Sequence, residues 1–197
     1  MAHVNPSRSS ARSEAKTPDA IALLKQDHRS VEELFDEFED AEDGEGIEIA
    51  QRICQMLTVH AQIEEEILYP AAKNALSEDE EQSDLVWEAE VEHASAKELI
   101  AKIEEMQEQD EAYNATVKVL SEYIKHHVKE EEGQLFPALK KSELDLKELG
   151  AQLFERKQEL MTELGVESEG SEEEEEDEEE SSGRRGSKAK GSGSPRH

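Results

Sequence analysis

The sequence contains a single cysteine, Cys54, and only 4% of its residues are aromatic. One cysteine forms no internal disulfide and builds no thiolate metal cluster. No apolar run approaches the roughly 20 residues that a helix needs to span a bilayer. Residues 1–16 lack the apolar segment of a secretory signal. These absences predict a soluble, cytoplasmic protein.

Basic residues are also scarce. The chain has 22 Lys and Arg against 51 Asp and Glu, which gives a formal net charge of -29 at pH 7. The acidic block from Glu167 to Glu180 explains only part of this excess, because most of the acids lie before it. A surface of this charge repels phosphate backbones and anionic membranes. We therefore predict no nucleic acid partner and no membrane partner.

Apolar residues recur at steps of three and four, and no stretch alternates as a strand would. This periodicity predicts an all-α protein. We expect an up-down-up-down four-helix bundle over residues 17–140 and an additional amphipathic helix over 141–166. Residues 1–16 and the tail over 167–197, which is acidic and then rich in Gly, Ser and Lys, are poor in apolar residues. Both ends are predicted to be disordered.

The helix bounds follow from turn and cap residues. Thr17 is predicted to cap the first helix, with Pro18 at its first position. Pro70 interrupts the second helix and should remove one backbone hydrogen bond and kink it. The third helix follows the polar stretch 77–83. The other bounds are about Thr17 to Asp40 for the first helix, Ile47 to Ala75 for the second, Glu111 to Pro137 for the fourth and Ser142 to Leu164 for the fifth.

One short motif occurs twice. In each copy a His is followed four residues later by a Glu, and then by an aromatic residue and a Pro. The copies read His60, Glu64 and Tyr69-Pro70, and His127, Glu131 and Phe136-Pro137. On a helix, residues four apart project from the same face. A single pair of this kind means little in a chain so rich in Glu, and a lone His on an apolar seam is more often a hydrogen-bonded core residue.

The histidines on the apolar seams, His28, His60, His93 and His127, carry more information together. One lies on the apolar seam of each predicted helix, at nearly equal intervals, which places them at a similar depth in antiparallel helices. Four imidazoles and two carboxylates buried without a shared partner would be strongly unfavourable, and bound cations resolve this. The predicted metal ligands are His28, His60, Glu64, His93, His127 and Glu131.

The donor types indicate the metal. Imidazole and carboxylate without thiolate suit iron or manganese better than calcium, and so many ligands disfavour zinc. If both carboxylates bridge, the six residues hold two metals that retain open positions. We therefore predict two iron ions, with manganese as the alternative. Dioxygen, peroxide or nitric oxide could bind at the open positions.

These residues resemble a known family. The set Asp27-His28, His60 to Glu64, Glu92-His93 and His127 to Glu131, with the recurring aromatic-Pro step, is similar to the hemerythrin-like HHE cation-binding domain over about 20–139. The resemblance implies a four-helix bundle with a non-haem diiron centre held by the six predicted ligands. Oxygen-carrying hemerythrins have another histidine one turn after the third-helix ligand, where this chain has Lys97. That difference argues against reversible oxygen storage.

Several neighbours of the motif are open to two interpretations. Lys97 and Tyr123 each lie one turn from a predicted ligand, so either could donate a hydrogen bond behind the ligands; an exposed Lys and an ordinary core Tyr are the alternatives. Four further acids, Glu65, Glu66, Glu130 and Glu132, are predicted to face solvent. His126 is expected to point away from the site.

Three functions are compatible with this site. The first is a diiron protein that binds or senses oxygen, peroxide, nitric oxide or iron. The second is a diiron enzyme that removes peroxide or acts on nitric oxide. The third is a metal-stabilised helical module that binds a protein partner through the C-terminal helix or the acidic tail.

Overall fold

A computed structural model describes residues 17–42 and 44–165, and these residues form helices and no strand. The prediction of an all-α bundle with an additional C-terminal helix is confirmed. The predicted disordered ends lie outside the described residues. The helices are α1 (Ala20–Asp40), α2 (Gly46–Ile63), π1 (Glu64–Leu68), α3 (Tyr69–Ala75), α4 (Glu80–Glu105), α5 (Glu111–Glu130), π2 (Glu131–Leu135), α6 (Phe136–Lys141) and α7 (Leu146–Glu163).

The segments α2, π1 and α3 follow one another without a break and form the second long helix. The segments α5, π2 and α6 form the fourth. Helix α1 packs along α2, and α4 packs along α5. None of the described helices is long and apolar enough to cross a membrane. The bundle thus consists of two helix pairs, and each pair carries one copy of the motif.

Aspartates cap four of the helices. Asp19 caps α1 and accepts a hydrogen bond of 2.9 Å from the backbone N–H of Ala22. The prediction that Thr17 caps this helix is therefore wrong by two residues. The carboxylate of Asp19 accepts the hydrogen bond that the first turn of α1 donates. The fifth helix begins at Leu146, after Asp145, rather than near Ser142. Ser142 instead bonds the end of α6 through its hydroxyl, which donates to the carbonyl of Leu139.

Both motif copies contain a π-helical turn that the sequence did not indicate. In π1 the N–H of Tyr69 donates to the carbonyl of Glu64, and in π2 the N–H of Phe136 donates to that of Glu131. Each turn ends just before the aromatic-Pro step. A proline within an α-helix clashes with the carbonyl four residues earlier, and a wider turn relieves that clash. Each π turn also begins at a predicted metal-ligating glutamate.

Two apolar clusters fill the bundle, and the predicted ligands lie between them. In α1, Leu24 belongs to one cluster and Val31 to the other, with His28 between them. His93 and His127 occupy the same intermediate position on α4 and α5. The similar depth that the spacing of the histidines predicts therefore follows from the packing of the core.

Helix α7 packs against α1, α2 and π1. Leu149, Leu153 and Leu160 are buried in the first cluster. Gly150 permits this packing, because a Cβ at this position would lie 2.5 Å from the carbonyl oxygen of Pro18. The apolar stripe of the fifth helix is thus covered by the bundle itself. Its exposed face includes Phe154.

Candidate metal centre

The six predicted ligands converge in the interior of the bundle. Each of them is at most 7% exposed, and Glu64 is fully buried. Their nitrogen and oxygen atoms form two groups in which all atoms lie within 4.8 Å of one another. The first group is His28, His60, Glu64 and Glu131, and the second is Glu64, His93 and His127. Since Glu64 belongs to both groups, the arrangement resembles two adjacent sites with a shared ligand.

The histidines are paired according to the helix pairs. The Nε2 atoms of His28 and His60 lie 3.2 Å apart, and those of His93 and His127 also lie 3.2 Å apart. The first pair comes from α1 and α2, and the second from α4 and α5. Each helix pair therefore presents two imidazole nitrogens to one point.

Each carboxylate lies between the two histidine pairs. Both use Oε2 to approach one Nε2 of each pair. The distances are 3.2 Å from Glu64 to His60, 3.4 Å from Glu64 to His93, 3.4 Å from Glu131 to His28 and 3.6 Å from Glu131 to His127. This is the placement expected of two bridging ligands.

A second acid lies behind every histidine, at Nδ1. The pairs are His28 with Glu132 at 3.0 Å, His93 with Glu65 at 3.1 Å, His127 with Glu92 at 2.8 Å and His60 with Asp27 at 3.6 Å. The expectation that Glu65 and Glu132 face solvent is therefore wrong, because both turn inward to a histidine. Asp27 and Glu92 directly precede His28 and His93 in the sequence. Glu65 and Glu132 directly follow the motif glutamates, Glu64 and Glu131. The repeated acidic-His step in the sequence signals half of this set.

The outer acids fix the direction in which the imidazoles offer their lone pairs. A carboxylate at Nδ1 accepts a hydrogen bond from the N–H of that nitrogen, so Nε2 carries the lone pair. The four Nε2 atoms then face two carboxylates, which accept hydrogen bonds but do not donate them. Both oxygens of Glu64 and Oε2 of Glu131 are buried and accept no hydrogen bond. Buried hydrogen-bond acceptors that converge without hydrogen-bond donors offer their lone pairs to a cation. The residues therefore fit a bound metal.

The electrostatics of the site agree with this geometry. Burial, with the negative charge of Glu131 beside it, raises the pKa of Glu64 well above its usual range. Burial lowers the pKa of His60 to about 4 despite Asp27. For Glu131, burial opposes ionisation, but His127 and His28 still hold its pKa below the usual range. A proton on Glu64 relieves the repulsion between the two carboxylates, and metal ions would relieve it as well.

The two motif copies differ at the aromatic residue. The hydroxyl of Tyr69 donates to Oε1 of Glu131 at 3.0 Å and lies 3.0 Å from Nε2 of His93. Burial and the nearby Glu131 raise the pKa of Tyr69 well above its usual range. Phe136, the equivalent residue, stacks on the ring of His28 with a centroid distance of 5.8 Å. Sequence reasoning identified the aromatic-Pro step but assigned no role to the Tyr69 hydroxyl.

The two residues predicted to donate behind the ligands occupy different places. Lys97 donates to both oxygens of Glu65, at 2.6 and 2.5 Å, so it acts on the acid behind His93 and not on a ligand. Tyr123 is half-buried, and no hydrogen bond among the described residues joins it to the six. His126 is exposed, as expected, and its Nε2 lies 3.5 Å from Glu92.

A small cavity opens beside the histidines. Its volume is about 20 Å³, and all four imidazoles line it. Its other walls are mainly apolar, with Lys97 at one side; they include Val31, Leu57, Ala96, Ile100, Ile124 and Val128. A volume of this size holds about one water-sized molecule. The cavity therefore has room for about one small molecule beside the four imidazoles.

The model of one protein family matches this chain. It is that of the hemerythrin HHE cation binding domain, and it covers residues 19–139. The match begins at the cap of α1 and ends within α6, so it includes all six converging residues and excludes α7. The resemblance inferred from the sequence is confirmed.

Two individual proteins are also similar to the chain. A DNA nickase of Nostoc sp. is 30% identical over 119 residues, which are 60% of this chain and 32% of that protein. The chain thus spans about a third of the length of this relative. A crystal structure of a hemerythrin HHE cation binding domain-containing protein from Mycobacterium kansasii superposes with a TM-score of 0.63 at 20% identity. It covers 74% of this chain and 89% of its own, and it shows that the fold is shared.

Proposed function

The chain belongs to the hemerythrin HHE cation-binding domain family, and from this premise we propose that it is a non-haem diiron protein that binds or senses a small ligand. The ligand classes are oxygen, peroxide and nitric oxide, or the iron supply itself. His28, His60, Glu64 and Glu131 would hold one ion, and Glu64, His93 and His127 the other, with Glu131 within reach of both. A diiron centre supplies open coordination positions and one-electron redox chemistry.

One observation carries this proposal. The six residues bring eight acceptor atoms together, one from each of four imidazoles and two from each of two carboxylates. Three of these atoms, both oxygens of Glu64 and Oε2 of Glu131, are buried without a hydrogen-bond donor. The imidazole nitrogens of four histidines point at the same place. Iron is favoured over calcium because imidazole nitrogens are in the majority, and manganese is the alternative.

The cavity supports a small ligand and a role other than oxygen storage. It is lined by all four histidines and has room for about one water-sized molecule. Lys97 occupies the position at which oxygen-carrying hemerythrins have a further histidine. Its ammonium bonds Glu65 and so supplies no further nitrogen ligand.

The test is reconstitution with iron. The purified chain is loaded anaerobically with ferrous salt, freed of excess metal, and examined by elemental analysis and by near-ultraviolet absorption before and after exposure to oxygen. We expect about two iron ions per chain and a new charge-transfer band after oxidation. Iron well below one ion per chain, without such a band, would contradict the proposal.

A second candidate, an enzyme that removes peroxide or acts on nitric oxide, is favoured by Tyr69. Its hydroxyl contacts Glu131 and His93 and is the sole hydroxyl that bonds the six among the described residues. A group in that position can hold a proton close to the bound ligand. Sustained peroxide turnover by the iron-loaded chain, reduced at least about tenfold in Tyr69→Phe, would favour the enzyme. A stable adduct without turnover would favour binding.

The remaining expectations stay predictions. The activity in the name of the Nostoc relative is not extended to this chain, which spans about a third of that protein and carries a net charge of -29. That charge supports the absence of a nucleic acid partner. A cytoplasmic location is supported by the single, buried thiol of Cys54. A protein partner of the acidic tail would bind outside the described residues.

A further inference from the structure

We propose that Lys157, on α7, is a positioning residue of the metal centre. It holds Asp27, and Asp27 orients the imidazole of His60. This inference rests on the proposed diiron site and adds to it a dependence on a helix that lies beyond the family match over 19–139. The helix outside the bundle would thereby control one of the two ions.

The contact is direct and largely buried. Nζ of Lys157 lies 2.5 Å from Oδ1 of Asp27, with side-chain exposures of 20% and 5%. The other oxygen of Asp27, Oδ2, faces Nδ1 of His60 at 3.6 Å. A carboxylate bonded at one oxygen by an ammonium is fixed in rotation and presents its second oxygen in one direction. Lys157, Asp27 and His60 therefore form a chain that leads from α7 to a metal-binding nitrogen.

The other three outer acids are held differently. Glu132 is paired with Lys25, Glu65 with Lys97, and Glu92 lies near His126. These partners come from the bundle helices α1, α4 and α5. Asp27 is the outer acid whose cation comes from α7. Loss of that contact should therefore affect the His28 and His60 pair and leave the His93 and His127 pair unchanged.

His60 is also the histidine whose outer contact is weakest. Its Nδ1 and Oδ2 of Asp27 are both buried and make no hydrogen bond. The side chain of Asp27 is one methylene shorter than those of the glutamates behind the other histidines. Its position therefore decides whether its carboxylate reaches Nδ1 of His60. Without the ammonium, Oδ1 of Asp27 would be buried without a donor, and the side chain would turn away from His60.

The position of α7 is fixed independently of this contact. Leu153 and Leu160, four and three residues from Lys157, are buried in the core. Gly150 brings α7 against the backbone before α1. Lys157 therefore reaches Asp27 from an anchored helix, and its removal should not detach α7.

The experiment compares Lys157→Met with Arg156→Met. Both variants remove one cation of α7 and retain an unbranched side chain. Arg156 bonds Glu66, which lies on π1 but faces away from the six, so it is the matched control. Iron affinity is measured by chelator competition on the reconstituted chain, with circular dichroism to confirm the helix content.

We expect Lys157→Met to bind one ion about 10- to 100-fold more weakly and the other as wild type does, and Arg156→Met to keep both. Lys157→Arg should restore the lost ion. Asp27→Asn should reproduce the defect, and the double variant should add little to it, because both residues act through His60.

Two outcomes would overturn the inference. Lys157→Met could retain both affinities, as Arg156→Met should, or it could lose both ions equally. A failure of the proposed function can be distinguished from a failure of this inference, because the wild-type chain itself would then take up no iron. If Lys157→Met fails to fold, Asp27→Asn with its helix content intact supplies the same comparison.

Discussion

The two halves of the candidate metal centre share one backbone plan and differ in their surroundings. Each half has a helix pair, two histidines, a π turn that starts at a glutamate, and an acid behind each imidazole. Helix α7 packs mainly on the first half, against α1, α2 and π1. The first motif copy supplies Tyr69, and the second supplies Phe136. In the proposed diiron centre the repeated parts would hold the metals, and the unrepeated parts are the places where the two ions would acquire different properties.

The largest effect is expected at the residue that both halves share. Glu64→Gln removes the carboxylate common to the two donor groups, so both ions should bind at least about 10- to 100-fold more weakly. Chelator competition on the reconstituted chain measures this loss. Glu66→Gln, two residues away and exposed to solvent, is the control and should bind as wild type. If Glu64→Gln loses only one ion, the carboxylate does not bridge.

The same residue predicts a pH dependence of the metal-free chain. The pKa of Glu64 is raised in the folded state, so the stability it contributes is present at low pH and is lost as pH rises through the raised pKa. The free energy of unfolding of the metal-free wild type should therefore fall with pH, relative to Glu64→Gln, from the ordinary range of a glutamate upward. Urea unfolding at several pH values measures the difference. An equal dependence in both chains would contradict a raised pKa.

A smaller effect should separate the two halves. His28→Ala removes a donor of the first group alone, and His93→Ala removes a donor of the second. Each variant should lose about one ion and retain the other, because the remaining group keeps its own imidazoles. Elemental analysis together with the optical spectrum distinguishes the two. Loss of both ions from either variant would mean that the halves bind metal cooperatively and not as two adjacent sites.

Gly150→Ala tests the packing of α7 against the first half of the site. A Cβ at this position would meet backbone atoms of residues 18–20 at 2.5 to 2.7 Å, so α7 must shift. We expect a loss of about 1–3 kcal/mol of unfolding free energy, measured by urea unfolding. Gly133→Ala is the control in the second half, where a Cβ meets nothing within 4 Å. Because Ala has a higher helix propensity than Gly, Gly133→Ala should not lower stability. A similar loss in both variants would therefore show that the close approach of α7 does not set the effect of Gly150→Ala.

The smallest effects should be equal in the two halves. Lys25 and Lys97 pair with equivalent acids, Glu132 and Glu65, and the partners are partly exposed in each case. Ion pairs of this kind contribute about 0–1 kcal/mol, because water replaces the lost partner. Lys25→Met and Lys97→Met should therefore lower stability by similar small amounts, as thermal unfolding would measure. A large effect of Lys97→Met alone would give Lys97 a role beyond its pairing with Glu65.

Much of the site could be predicted from local sequence. The histidines and glutamates follow a helical period, and residues four apart share a face in any α-helix, so the six converging residues could be named before the fold was known. The acids behind the histidines were harder to identify. Asp27 and Glu92 precede a histidine, but Glu65 and Glu132 belong to a run of glutamates in which each one could equally face solvent. The π turns change the direction of the residues that follow the ligand, and no local propensity indicates them.

The sequence by itself determined the helical fold class, the bundle and the six residues that meet, because each depends on the spacing of side chains along single helices. The tertiary structure decided the rest. It brings Tyr69 and not Tyr123 to Glu131, turns Glu65 and Glu132 inward, and places Lys157 beside Asp27. These contacts join residues far apart in the chain, and their geometry depends on how the helices pack and not on the period of any one helix.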